Sequence, residues 1–197
     1  MHSYRPWNQL AIPFPNRQTD WPSSMSTNAS TAPHSGNIRI RQASDNDVEE
    51  LTRLINAAFV VEQVVFDGDR VDDLGVRAFM SGGTFLIAED SGGLDSRALV
   101  GCVYIETRDD RSYLGLLSVQ PARQGAGIGR QLVTAAENLA RESGSRVMDL
   151  RVISARGEEL LPFYRRLGYE FVRTEPFPAD LVTKAPSHYI LMSKPLI

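Results

Sequence analysis

The stretch Gln124-Gly125-Ala126-Gly127-Ile128-Gly129-Arg130 constrains the fold more than any other part of this chain. Three glycines at alternate positions run directly into Leu132, Val133, Ala136, Leu139 and Ala140, an apolar set at helical spacing that stops at Gly144. Before the loop, Tyr113 to Val119 reads as a strand; after the helix, Arg146 to Ile153 reads as a strand buried on both faces and lying parallel to the first. Strand, glycine loop, helix, strand is therefore the central unit. Glycines at a helix start let backbone N–H groups converge without side chains in the way, and the helix dipole adds positive potential, so the loop reads as an anion cradle. It lacks the GxxxxGK[ST] pattern, which excludes a P-loop nucleotidase. Its GxGxG spacing differs from the GxGxxG dinucleotide fingerprint, although Asp149 stands about 20 residues beyond Gly129, where a ribose-binding acid would be expected. Dinucleotide binding and a tight turn without a ligand remain as rival readings of the glycines alone.

The flanking patterns argue against the dinucleotide reading, because the loop follows three antiparallel strands instead of opening the domain. Asn37 to Gln42 alternates as a first strand, Ser44-Asp45-Asn46-Asp47 resembles a capping box, and Val48, Leu51, Leu54, Ile55, Ala58 and Phe59 keep helical spacing. Val60 to Phe79 predicts a broken helical segment with a loop, ended by Gly82-Gly83. Thr84 to Glu89, Leu99 to Glu106 and Tyr113 to Val119 predict an antiparallel meander. Glu158 to Leu167 predicts a second short helix, with Pro162 early in it and Gly168 as its cap; Tyr169 to Arg173 and His188 to Met192 supply the last strands.

Composition narrows the function. Of 197 residues, 21 are Lys or Arg and 24 are Asp or Glu, a formal charge of -3 that gives no general grip on nucleic acid or an anionic membrane. No apolar run is long enough to span a bilayer and the first residues lack a secretory apolar region, so the expected location is cytoplasmic. Cys102 is the only cysteine and three histidines do not assemble a site, so no disulfide and no metal are expected. Residues 1–37 hold Pro6, Pro13, Pro15, Pro22 and Pro33 with no useful periodicity and are expected to be a disordered arm, leaving 38–197 as one domain.

At this point the residues resemble the GNAT superfamily of acetyl-CoA-dependent N-acetyltransferases. Gln124-Gly125-Ala126-Gly127-Ile128-Gly129 matches its Q/R-x-x-G-x-G/A loop, and Phe163-Tyr164-Arg165-Arg166-Leu167-Gly168-Tyr169 is similar to the signature that ends its acetyl-CoA half. The resemblance implies an α/β fold: a mixed, mostly antiparallel sheet splayed between the strands ending at Val119 and Ile153 and flanked by helices. It also implies acetyl-CoA as co-substrate, with pyrophosphate on Gln124, Gly125, Ala126, Gly127, Ile128, Gly129 and Arg130 and pantetheine along Leu117, Ser118 and Val119. Coenzyme A does need an anion cradle and a free strand edge, which this sequence offers.

The expected reaction is direct acetyl transfer to the primary amine of a small molecule. An alkylammonium ion has a pKa around 10, so a base must take its proton before attack. The resemblance gives Tyr164 the role of general acid. Its usual strand glutamate falls at Tyr113, leaving Glu106 and Glu62 as candidate bases, and Ser154 stands as a substitute for an asparagine that relatives carry. The acidic run from Glu62 to Asp73 would favour a cationic acceptor such as a polyamine, an aminosugar or a lysine side chain. The alternatives are a non-catalytic acyl-CoA-binding module, and a protein-lysine or N-terminal acetyltransferase. Homodimer formation is left open.

Overall fold

A computed structural model describes residues 38–91 and 98–196; the expected arm, residues 1–37, lies outside them. Seven strands form one sheet in the order β1-β2-β3-β4-β5-β7-β6. They are β1 (Ile38–Gln42), β2 (Thr84–Asp90), β3 (Ala98–Arg108), β4 (Arg111–Val119), β5 (Val147–Ile153), β6 (Glu170–Glu175) and β7 (Tyr189–Pro195). Every neighbouring pair is antiparallel except β4 with β5. That parallel pair needs a crossover, and α3 (Ile128–Glu142) supplies it. The expected mixed, mostly antiparallel sheet flanked by helices is therefore the observed one.

Alternation along the strands divides the core between the two faces of the sheet. On one face, Leu86, Ala88, Val103, Ile105 and Leu114 meet Ile128, Leu132, Val133 and Ala136 of α3, together with Tyr164 of α4 (Gly157–Arg166). On the other, Phe85, Ile87, Cys102 and Tyr104 meet Leu51, Leu54 and Ile55 of α1 (Val48–Phe59) and Val76 of α2 (Asp73–Gly82). The entry to α1 is fixed as the sequence predicts. Asp47 accepts hydrogen bonds from the Ser44 backbone N–H (2.7 Å) and hydroxyl (2.9 Å), and its carboxyl is held well below the usual range by Arg41.

The segment between α1 and α2 contains one 3-10 stretch, Val60–Val64, and α2 starts only at Asp73, where Asp72 accepts the Gly75 N–H (2.7 Å). Pro162 departs from expectation. Because α4 grows out of a 3-10 turn at Ser154–Arg156 and begins at Gly157, the proline sits inside the helix instead of in its first turn.

The two halves of the sheet are clamped at one end. Arg111 on β4 forms a two-pronged ion pair with Asp149 on β5 (2.8 and 2.6 Å), and Asp149 also accepts from Ser193 on β7. Asp149 is fully buried in this structural role, which removes the ribose-acid reading of the sequence. Among the described residues no helix is long and apolar enough to cross a membrane.

Candidate active site

Beyond the clamp the sheet opens. β4 and β5 pair only from Arg111 opposite Val147 to Leu114 opposite Leu150. From there β5 stays with β7 as far as Ile153 opposite Tyr189, while β4 stays with β3. A bulge directs β4 away: Cys102 faces Ser118 but Tyr104 faces Gly115, so β4 carries one extra residue, and Leu116 takes a positive φ of 48°. The Ser118 hydroxyl donates to the Leu116 carbonyl (3.0 Å), fixing the bulge. Between the parted strands lies a cleft of about 470 Å³ that reaches both faces of the sheet, with Ile128, Leu160, Phe163 and Tyr164 on one and Ala58, Phe59, Glu62 and Arg70 on the other.

One half of this cleft is made largely of backbone. Gly125 and Gly127 both take φ of 81°, the left-handed region open to glycine, and nothing lies within 4 Å of where their Cβ atoms would stand. Gly127 opens α3, whose first N–H groups have no acceptor within the helix. Leu117, Val119, Gln124, Gly125, Gly127, Ile128, Gly129 and Arg130 all line the cleft. Ala126 is exposed outside it. Ser118 is buried, its hydroxyl spent on the bulge. Ser154 also lies off the lining: it shares a hydrogen bond with the Ser187 hydroxyl (2.9 Å) and accepts the His188 N–H (3.1 Å), tying the start of α4 to the β6–β7 loop.

The other half is made of side chains from distant segments. Tyr164 lines the cleft, only 7% exposed, and burial pushes its phenol above the usual tyrosine range, so it keeps its proton at neutral pH. Glu62 is 6% exposed, with Oε2 buried and lacking a hydrogen-bond partner. Burial raises its carboxyl above the ordinary range, partly opposed by the charges of Arg70 and Arg156, whose nearest nitrogen on Arg156 is 4.0 Å from Oε1. Glu106, the other candidate base, does not line the cleft. It sits across the β3–β4 hairpin from Tyr113, where Arg108 donates to it (2.7 Å) and the Tyr104 hydroxyl lies at 3.4 Å.

Sequence reasoning passed over the arginines. Arg70, Arg151 and Arg156 line this half, each steered by neighbours: Arg70 over the Phe59 ring (5.3 Å), Arg151 donating from Nε to Glu175 (2.7 Å) beside the rings of Tyr113 (5.7 Å) and Tyr189 (5.9 Å), Arg156 against Glu159 (2.8 Å). The acidic run contributes only Glu62. Asp67 pairs with Lys184 (2.8 Å), Asp72 caps α2, Asp73 accepts from Thr52 (2.6 Å), and Asp69 is exposed off the lining. The acidic run therefore places one carboxyl, Glu62, on the wall, with Glu159 of α4 as the other. The β6–β7 loop braces this half from outside, with Phe177 against Phe66 (5.4 Å) and Tyr189 (4.5 Å). Cys102 is fully buried, its thiol pushed up to about 12. Among the described residues no group of three or more His, Cys, Asp or Glu could hold a metal ion.

Residues 81–171 match the family model described as an acetyltransferase (GNAT) domain. A curated relative, mycothiol acetyltransferase of Propionibacterium freudenreichii subsp. shermanii, is 28% identical over 144 residues. The match takes in 70% of this chain but 45% of that protein, so the chain spans about half the length of the curated relative it matches. Two solved structures share the fold. Ard1 from Thermoplasma volcanium superimposes with a TM-score of 0.67 at 18% identity, covering 82% of this chain and 99% of that one. YncA from Salmonella typhimurium, solved with its cofactor acetyl-CoA, gives a TM-score of 0.64 at 20% identity, covering 82% and 95%. The glycine loop at the head of α3, the bulged β4 and the split sheet all fall within the residues that match the acetyltransferase (GNAT) domain.

Proposed function

We propose that this protein is an acetyl-CoA-dependent N-acetyltransferase that acetylates the primary amine of a small molecule by direct transfer. The observation that carries the reading is a cleft passing between two parted strands, with an anion cradle toward one face of the sheet and a buried carboxyl toward the other. Two substrates can then approach from opposite faces and meet without a covalent carrier, which makes juxtaposition itself a large part of the catalysis.

The residues present fit acetyl-CoA. The backbone N–H groups from Gly125 to Arg130 would hold the pyrophosphate, because two left-handed glycines leave the approach open where a Cβ would otherwise stand. The edge of Leu117–Val119, released from β5 by the bulge, would hold the pantetheine arm as an added strand. Bound there, acetyl-CoA supplies an activated acetyl thioester. Glu62 takes the proton of the incoming ammonium group, directly or through a water, and its raised pKa brings it closer to neutrality than an exposed glutamate. Tyr164 keeps its proton at neutral pH and offers it where the thiolate is released.

The test is Tyr164→Phe. Removing one hydroxyl from a ring packed edge-on against Phe163 (5.0 Å) and Tyr169 (5.8 Å) leaves the packing in place. Thiol release should fall about 100-fold, the usual scale for a general acid, while acetyl-CoA binding measured by calorimetry stays as in the parent. Binding without thiol release from any amine, in the parent protein itself, would turn the reading to an acyl-CoA-binding module.

A further inference from the structure

The strands that bound the cleft are last paired at Leu114 opposite Leu150, so Gly115 on β4 and Arg151 on β5 are the first residues on either side of the opening. Tyr113, one residue before that last pair, reaches toward both. A Cβ placed on Gly115 would stand 2.8 Å from the Tyr113 ring carbon Cε1 and 3.6 Å from its hydroxyl oxygen, so the ring leans forward over Gly115 and needs a residue without a side chain beneath it. On the other side the Arg151 guanidinium lies 5.7 Å from the ring centroid. Arg151 is itself tied to Glu175 on β6 (2.7 Å), which also accepts from Arg173 (2.6 Å). The ring is therefore a bar across the narrow end of the split, backed by both strands. Burial pushes its phenol above the usual tyrosine range against the charges of Arg151 and Arg70, so it is no base at neutral pH, and what the ring contributes is shape.

The glycine loop stands at the far end of β4 from this bar. With pyrophosphate on the loop and pantetheine along Leu117–Val119, the acyl end of the donor points down β4 toward Tyr113. Only Gly115 and Leu116, about 7 Å of strand, separate that edge from the closed pair. We infer that Tyr113 is a specificity-determining residue: its ring, seated on Gly115, closes the acyl end of the cleft, admitting an acetyl group and excluding butyryl and longer chains. This rests on the transfer reading above and adds the acyl length that the site accepts.

The experiment uses the full chain and acetyl-, propionyl-, butyryl- and hexanoyl-CoA with two readouts: calorimetric binding without an amine, and thiol release with an amine that the parent acetylates. The parent should bind and use acetyl-CoA in preference to butyryl-CoA. In Tyr113→Ala the affinity for butyryl-CoA should rise about tenfold, the worth of burying two methylene groups, and the acetyl-to-butyryl ratio in kcat/KM should fall by the same factor. Tyr113→Phe keeps the ring and should keep the parent's ratio, which separates shape from the hydroxyl. Should Tyr113→Ala melt far below the parent, Tyr113→Val, smaller than the ring and suited to a strand, carries the comparison. A parent that takes butyryl-CoA as readily as acetyl-CoA, a ratio unchanged in the folded small-residue variant, or a ratio relaxed equally in Tyr113→Phe overturns the proposal and leaves acyl transfer standing. The expected order of binding without thiol release from any amine supports the stop and overturns transfer. Failure of every acyl-CoA to bind overturns both.

Discussion

The two ends of the cleft are made of different material. Toward the sheet face that carries α3, the wall is a continuous run of chain, from Leu117 through the glycine loop into the first turn of α3, and its donors are backbone N–H groups. Toward the face that carries α1, the wall is assembled from side chains that meet only in the folded protein: Glu62 from the 3-10 stretch, Arg70 from the following loop, Tyr113 from β4, Arg151 from β5 and Arg156 from the turn before α4. A backbone cradle suits a constant ligand, and it is changed only by altering the fold. A side-chain wall can be replaced one residue at a time, which suits the partner that varies between enzymes of one fold.

The largest expected effect falls on what both ends share. Asp149 is fully buried and its charge is met by Arg111 at the closed end of the split. In Arg111→Met the carboxylate would lose its partner, a loss of about 3–5 kcal/mol for a broken buried pair. For a domain of this size that corresponds to a melting temperature lower by about 10 °C. Melting followed by circular dichroism, with and without acetyl-CoA, checks it. A melt unchanged from the parent would show that the split is held closed by packing of β5 on β7, not by the clamp.

Next comes Glu62→Gln, which should affect one end only. Loss of the base should lower kcat/KM for the amine about 100-fold, with acetyl-CoA affinity unmoved. The pH profile sharpens the assignment. A base works only when deprotonated, and burial raises this carboxyl, so the rate should fall as pH drops through a value above the ordinary carboxylate range. That limb should be absent from the variant. If the limb survives, Glu62 is not the base and the proton leaves by another route.

How legible each end was in the sequence follows from the same contrast. The glycine loop, β4 and α3 are local patterns, so Gln124 to Arg130 could be read as an anion cradle before any contact was known, and most of those residues do line the cleft. The bulge left no mark in the periodicity, because Leu114 and Leu116 still read as an alternating pair although they join cores on opposite faces of the sheet. Nor did the arginines. Arg70 lies far in sequence from Arg151 and Arg156, and each reads singly as surface charge; only the fold brings them into one wall. The acidic run misled for a complementary reason. Composition sums charges along the chain, whereas the fold spends Asp72 on a helix cap and Asp67 on Lys184. Glu106 and Glu62 were equal candidates in sequence, and only burial and the cleft lining separate them.

The mirror of Glu62→Gln is Gly127→Val. A β-branched residue forced into a φ of 81° costs about 1–2 kcal/mol, and relief of that strain would turn the first N–H groups of α3 out of line. Acetyl-CoA affinity should weaken about tenfold, while the rate at saturating acetyl-CoA changes little. Calorimetry and saturation kinetics together decide it. A variant that binds acetyl-CoA normally would move the anion site away from the loop, since open space around the missing Cβ leaves backbone conformation as the reason glycine is needed there.

The smallest effect is expected at Cys102, and its smallness matters. If the two ends hand the acetyl group across directly, no side chain need carry it, and the one thiol in the chain should be dispensable. Its environment agrees. Cys102 is fully buried on the α1 face of β3, and desolvation pushes the thiol up to about 12, so almost none of it is thiolate at neutral pH. Cys102→Ala should therefore leave the rate of acetyl transfer within about twofold of the parent, and the folded parent should resist alkylation by iodoacetamide, since only the thiolate is the nucleophile. Loss of activity in a variant that still melts near the parent temperature would mean an acyl-cysteine step, and the two ends of the cleft would then serve successive half-reactions instead of one encounter.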